Sequence, residues 1–355
     1  MFDYDVIIIG AGPAGSSLAR ILKPHLNVLL VDKRALDEAP LKSIKNCGGL
    51  IAPDAQKALA TFGLSIPKSV LVSPQMFSVE TLDFDNDMVR SYQRHYINVD
   101  REKYDRWLVS LCQDHIKKSF KTRYLGHEAY ENGFKVTLLR DGKKDVVSTR
   151  LLIGADGANS KIRKALEPSH EIKQYISIQE WFENTTQLNQ FVAIFDEEIS
   201  DFYSWIIPKD DHIIFGTAIQ EPKDATTYHN LQKKKLEKYG YNLTHPLKKA
   251  GCYLLRPMHA REVYLGKGHI ALIGEAAGLI SPTSAEGISY AMLSGCLLGD
   301  AINEHLDNFF EHYRQKAKKL KTNISHKMLK YPAMYNKHVR KMIFKLGIGA
   351  IDIRN

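Results

Sequence analysis

The stretch Tyr4-Asp-Val-Ile-Ile-Ile-Gly10-Ala-Gly12-Pro-Ala-Gly15 decides the fold. Residues 4 to 9 are a near-continuous apolar run, the pattern of a strand buried on both faces of a parallel sheet. Gly10 permits a tight turn, Gly12 lets the backbone come up against a pyrophosphate, and Gly15 lets the next helix pack close to the strand. A helical pattern continues from Pro13 and Ala14 through Ser16 to Leu22, so the helix start offers N–H groups and positive potential to phosphate. Asn27-Val-Leu-Leu-Val-Asp32 supplies a second strand, completing a βαβ unit. Asp32 lies about 20 residues beyond the glycines, the position from which an acid accepts hydrogen bonds from an adenosine ribose. An acid there disfavours a 2′-phosphate, so NADP is not expected in this site. Lys33 and Arg34, which follow it, are counted with the cofactor-binding residues.

The 355 residues can bury a sizeable core, and at roughly 150 residues per domain they predict about two domains, or one cofactor domain with an insertion. Hydrophobic residues at 44% and charged residues at 25% exclude a disordered or fibrous chain. The start Met1-Phe-Asp-Tyr-Asp5 shows no basic leader or apolar cleavage segment, so no signal peptide is expected. Cys47, Cys112, Cys252 and Cys296 are far apart and form no CxxC pair, which suits a reducing cytoplasm. His95, His212, His259 and His269 show no metal spacing, so no metal centre is expected. No run reaches the roughly 18 apolar residues of a membrane span.

Net charge is +9 and unevenly placed. From His312 to Ile351 there is no acid, while Arg314, Lys316, Lys318, Lys319, Lys321, Lys327, Lys330, Lys337, Arg340, Lys341 and Lys345 alternate with apolar residues. A basic amphipathic helix of this kind reads as a surface for anionic lipid or a partner, the basic apolar mixture over 314–346 favouring the inner face of the membrane, or else as a solvated face. No nucleic-acid partner is expected.

Along the chain, strand-like segments lie between Met76 and Asn98, Asp100 caps a helix through Trp107, and a hairpin set covers 121 to 153. Strands return from Lys173 to Gln220, a charged helix runs from Ala225 to Tyr239, and Gly268 to Gly274 is a last buried strand. This order predicts an α/β protein: a Rossmann-like cofactor domain from 1–72, 100–166 and 262–312. An inserted β-sheet substrate domain comes from 73–99 and 167–261, and a basic helical C-terminus from 313–355.

Two further segments carry a resemblance. Leu152-Ile-Gly154-Ala-Asp156-Gly157-Ala-Asn-Ser160, followed by Arg163, resembles the second fingerprint of the flavoprotein hydroxylase superfamily, and Gly274-Glu275-Ala-Ala-Gly278 with Pro282 and Gly287 resembles its third. The resemblance implies FAD as cofactor and the hydroxylase-like flavoprotein fold. It places a carboxylate near the ribityl and phosphate part of FAD, where Glu275 replaces the more common Asp. Arg101 resembles the arginine that approaches FAD. Pro282, Thr283, Ser284, Glu286 and Gly287 form the turn before the helix at Ile288, whose start offers positive potential to a reduced flavin. There is no second Rossmann unit, so the external reductant, whether NADPH, NADH or a redox protein, has no visible site.

Within the superfamily, Asn46-Cys47-Gly48-Gly49 resembles the cysteine and glycine segment of the geranylgeranyl reductase family. Tyr203-Ser-Trp205-Ile-Ile-Pro208-Lys209 with Gly216 resembles its substrate-cavity signature, departing at Ile207 where that pattern has Phe. Chain length and motif order are most similar to the CbrA-like branch of bacterial flavoproteins. The resemblance implies reduction of carbon–carbon double bonds in a prenyl lipid or related apolar substrate, with hydride passing from flavin N5. Cys47 is then a candidate proton donor, since a thiol at its ordinary pKa is mostly protonated at neutral pH, or a residue that packs on the flavin. Gly48 and Gly49 let the backbone approach a planar ring. Tyr203 and Trp205 share one face of a strand and could wall an apolar tunnel, or simply form a sheet core. A hydroxylating monooxygenase, a flavin-dependent halogenase and a flavin-bearing membrane-associated sensor or interaction protein remain alternatives.

Overall fold

A computed structural model describes residues 1–38, 46–167, 171–185 and 187–353. The apolar run forms the strand Tyr4–Ile9, in which Val6, Ile7 and Ile8 are wholly buried. It lies parallel between Val28–Val31 and Lys143–Gly154. Lys117–Ser119 and Ile270–Leu272 extend this sheet in parallel on its two sides. The hairpin set Thr122–Tyr130, Gly133–Arg140 and Lys143–Gly154 grows from it antiparallel. Helix Pro13–Ile21 follows the first strand and crosses the long helix Ile288–Glu304 at Gly295, where a Cβ would overlap the Ala14 carbonyl. Asp100 caps helix Arg101–Ser110 by accepting from the Glu102 and Lys103 N–H groups.

A second sheet runs in the order Lys248–Arg256, Lys173–Glu183, His212–Gln220, Ser204–Lys209, Phe191–Phe195, Met76–Asp83, Met88–Asn98 and Ala350–Ile351. All its pairings are antiparallel except that of Phe191–Phe195 with Met76–Asp83. The helix Ala225–Leu236 covers one part of it. The architecture is thus α/β with two sheets, the first Rossmann-like, and a helical C-terminus.

The basic segment is not one amphipathic helix. It is broken into Phe309–Lys316, Lys318–Leu329, Tyr331–Tyr335 and Lys337–Lys345, and ends in a strand that completes the second sheet. Arg340 is buried and forked onto Asp83 at 2.8 and 2.9 Å, with Asp85 at 2.6 Å. Lys327 pairs with Asp54, Lys337 with Glu197, Lys316 with Glu304 and Arg314 with Glu311. Four of the eleven basic residues that suggested a free surface, Lys316, Lys327, Lys337 and Arg340, therefore hold the tail to the rest of the chain, while Arg314 pairs within its own helix. Among the described residues no helix is long and apolar enough to cross a membrane.

Candidate cofactor and active site

The strand register brings the three fingerprints together. Ile9 pairs with Val31 and Gly154, and Gly154 pairs with Leu272, so the chain leaves three parallel strands side by side at their carboxyl ends. That edge is where open α/β sheets bind ligands. Gly10 has φ +108° and a Cβ there would overlap the Ala155 carbonyl; one at Gly15 would overlap the Gly10 carbonyl. At Gly12 a Cβ would meet nothing within 4 Å, and no side chain caps the helix that starts at Pro13. The backbone at Gly12, Ala14 and Gly15 therefore presents an open helix end to an anion. Asp156 and Gly157 lie beside it. Asp156 Oδ2 accepts the Lys161 N–H at 2.9 Å, Oδ1 has no hydrogen-bond partner among the described residues, and burial raises its carboxyl above the ordinary value. An open anion-accepting helix end next to a buried carboxylate with unused lone pairs fits a dinucleotide cofactor.

The third motif is braced on the same edge. A Cβ at Gly274 would come within 3.0 Å of Ala14 Cβ. Arg163 donates to the Ala276 and Glu262 carbonyls, and the Glu275 carboxylate accepts the Leu255 N–H at 3.1 Å. Gly278 packs on Ile172 and the Glu262 carbonyl. Arg163 and Glu275 thus tie the motif to the rest of the chain, a bracing role that the expected ribityl contact did not include.

Asp32, expected to accept hydrogen bonds from an adenosine ribose, is engaged within the chain. Its carboxylate already receives the Ala11 N–H at 2.8 Å, the Arg34 N–H at 2.8 Å and the Arg34 guanidinium at 3.0 Å. Arg34 continues to Asp105 at 2.6 Å, and Asp105 accepts from Arg101 Nε at 2.8 Å. Asp105 is 1% exposed. Burial opposes its charge, but Arg101 and Arg34 outweigh burial and hold the carboxyl below its ordinary value. Arg101 in turn hydrogen-bonds Cys47. A buried line of alternating charges therefore joins the glycine turn to the cysteine loop. Lys33 lies outside it, exposed.

The loop Asn46 to Gly49 is laced to the second sheet. Asn46 donates to the Gly251 carbonyl at 2.9 Å, Cys252 donates to the Asn46 carbonyl, and Gly49 accepts the Val99 N–H at 2.9 Å. Gly48 is where Ile207 approaches, since a Cβ there would overlap Ile207 Cδ1. Lys209 Nζ donates to the Gly49 carbonyl at 3.2 Å, the Val99 carbonyl at 2.8 Å and Asn98 Oδ1. Arg101 reaches Cys47 from the helix behind the loop, and Lys209 holds the Gly49 carbonyl in front of it.

Three consecutive carbonyls of the turn before Gly287 and Ile288 are each held by a different element. Arg256 Nε donates to Pro282 at 2.9 Å, the Tyr335 hydroxyl to Thr283 at 2.6 Å and the Tyr203 hydroxyl to Ser284 at 2.8 Å. Arg256 is wholly buried, with its guanidinium over Phe202, Tyr331 and Tyr335 at 4.2 to 4.6 Å. Glu286 is paired with Arg94 at 2.8 Å and accepts from Tyr96. No side chain caps the helix at Gly287. Tyr203 and Trp205 lie on one face as expected, ring centroids 5.6 Å apart. Trp205 lies over Gly216, where a Cβ would overlap the indole.

The sequence profile of a family described as an FAD binding domain matches residues 3–324. The chain belongs to this FAD-binding family. The flavoprotein is 37% identical over 351 residues to Protein CbrA of Escherichia coli O6:H1 (strain CFT073), covering 99% of this chain and 95% of that one. Its fold is similar to that of a geranylgeranyl bacteriochlorophyll reductase-like protein from Thermoplasma acidophilum, with TM-score 0.74, 16% identity, and 97% and 99% of the two chains covered. It is also similar to PqsL, a probable FAD-dependent monooxygenase from Pseudomonas aeruginosa, with TM-score 0.70, 15% identity, and 96% and 99% covered. At these identities the two structures show the fold alone. FAD is the cofactor, and the chain is an FAD-dependent oxidoreductase.

Several residues of this flavoprotein site escaped the sequence. The Arg101 and Asp105 spacing of four along a helix was the one available signal for Asp105. Arg256, Tyr335, Asn98 and the cationic role of Lys209 carry no local signature.

Proposed function

We propose that this flavoprotein reduces carbon–carbon double bonds in a prenyl-type or other apolar substrate. The observation that carries the reading is the face of the second sheet beside the Cys47 loop. Tyr203, Trp205, Ile207, Phe195, Phe202 and Tyr335 pack there as one apolar cluster. The Tyr203 hydroxyl is consumed by the Ser284 carbonyl, so what this residue offers a substrate is its ring. Bound FAD supplies the hydride, and the residues would do the rest. The helix start at Gly12 to Gly15 and Asp156 would hold the cofactor, the Pro282 to Gly287 turn would face its ring system, and the Cys47 loop would close over the apolar cluster. A water-poor surrounding suits hydride transfer to an unactivated alkene, and Cys47 would be the proton donor on the adjoining loop.

The test mixes anaerobically reduced protein with a geranylgeranyl lipid. Flavin reoxidation with a product heavier by two hydrogens supports the reductase. Reoxidation that requires oxygen and yields an oxygenated product overturns it in favour of a hydroxylase. One observation favours that second reading: Trp205 Nε1 is buried with no partner among the described residues, a donor suited to an oxygen-bearing aromatic substrate.

We also propose peripheral docking on an anionic membrane. Lys318, Lys319, Lys330, Lys341 and Lys345 are exposed near exposed Leu329, Met342 and Leu346, the mixture that favours the interface.

A further inference from the structure

Helix Ile288–Glu304 starts beside the flavin turn and ends, about 24 Å away, in a cluster that the cofactor site does not use. Its last residue Glu304, the following His305, and His312 from helix Phe309–Lys316 bring a carboxylate and two imidazoles together. One ligand atom of each lies within 4.8 Å of the other two. The imidazoles are stacked, with ring centroids 4.0 Å apart and planes 21° from parallel, so their edges can share one ion. Glu304 and His305 are exposed and His312 is half-buried, which leaves the cluster open to solvent. The turn from His305 to Asn308, rather than any spacing in the sequence, makes the two histidines meet.

Lys316 Nζ donates to Glu304 Oε1 at 3.0 Å, which holds the carboxyl below its ordinary value and still leaves lone pairs on both oxygens for a metal. An outer partner of this kind orients a ligating carboxylate. The other charges here are Asp300, one turn back on the same helix, and Lys23, which donates to the Asn303 carbonyl. The last turn of the long helix has no basic residue of its own, so its negative end favours a cation. Two imidazoles and a carboxylate are a zinc donor set with a fourth, tetrahedral position left for water, whereas magnesium and calcium prefer oxygen ligands throughout. Metal–ligand bonds of about 2.0–2.2 Å set ligand atoms about 3.4 Å apart, so the separations need shorten by no more than about 1.4 Å, within reach of side-chain rotation.

We propose that Glu304, His305 and His312 bind one divalent transition-metal ion of the zinc type, which clamps the long helix of the flavin site to the first helix of the basic tail. The site stands independently of the reductase reading. Its distance from the flavin turn makes the ion structural, a second tie across the joint that Lys316 and Glu304 already close. The folded chain holds the three ligands together and the unfolded chain does not, so the ion stabilises the folded state.

The experiment titrates zinc into the FAD-loaded full chain after EDTA treatment, read by isothermal titration calorimetry and by melting temperature. Wild type is expected to take up one ion per chain and to melt higher with zinc, while magnesium does neither. His305→Ala and His312→Ala are each expected to weaken zinc at least about tenfold, since losing even an outer partner costs about 10–100-fold. Glu304→Gln is expected to weaken it as well, with the melt of each metal-free variant recorded to separate ligand loss from loss of fold. His245→Ala, which removes another exposed histidine, leaves zinc uptake unchanged. Absence of zinc uptake by wild type overturns the site. Uptake that survives His312→Ala in a folded protein overturns it too, and uptake weakened equally by His245→Ala assigns the zinc to scattered surface histidines with the same result. One ion bound with no rise in melting temperature overturns the clamp.

Discussion

Asp105→Asn strikes the buried line of charges at its centre. Asp105 is 1% exposed and lies 2.6 Å from Arg34 Nη1 and 2.8 Å from Arg101 Nε, both arginines being about 9% exposed. Removing its charge leaves two buried cations, of which Arg34 keeps Asp32 and Arg101 keeps no carboxylate among these contacts. Breaking a buried pair in this way costs about 3–5 kcal/mol, against a total stability of about 5–15 kcal/mol. Urea unfolding followed by tryptophan emission should show this as a lower midpoint with an unchanged slope. The effect also depends on pH. The folded carboxyl titrates below its ordinary value, so its stabilisation is complete above about pH 4 and is lost as pH falls through the lowered value. The gap between wild type and variant should therefore be full at pH 7 and narrow towards pH 3. A loss under about 1 kcal/mol at pH 7, or a gap equally wide at pH 3, would refute the claim that Asp105 is the anion holding the two arginines.

Gly12→Ala and Gly15→Ala separate cofactor binding from folding. The first adds a methyl to open space and should leave apo stability within about 1 kcal/mol while weakening FAD binding tenfold or more by fluorescence titration; the second overlaps the Gly10 carbonyl and should cost folded yield. Tyr335→Phe removes the donor to the Thr283 carbonyl but keeps the stacked ring. It should cost about 1–3 kcal/mol in urea and loosen FAD severalfold, whereas equal FAD affinity would show that the tail does not hold the turn. Glu at Lys330, Lys341 and Lys345 together should abolish cosedimentation with anionic vesicles and leave melting unchanged. Truncation after Tyr313 is the wrong probe for that question, because it also removes Tyr335 and Arg340.

What was legible in the sequence was local. The turn from Gly10 to Gly15 imposes its steric demands within six residues, so a dinucleotide follows from the pattern, and FAD follows from the family resemblance of the second and third fingerprints, each similarly short. The substrate side is built otherwise. Lys209 meets Asn98 across 111 positions, Tyr335 meets Thr283 across 52, and Arg340 meets Asp83 across 257. No window of sequence contains both members of such a pair. The basic tail shows the consequence, because a charge run looks like a free surface when its partners lie in a distant strand. The same logic applies to the Cys47 loop: nothing near Gly49 in the sequence announces that Lys209, 160 positions away, grips its carbonyl. The setting of the loop is therefore a property of tertiary pairing, which is why a window of sequence shows the residue types and not their neighbours.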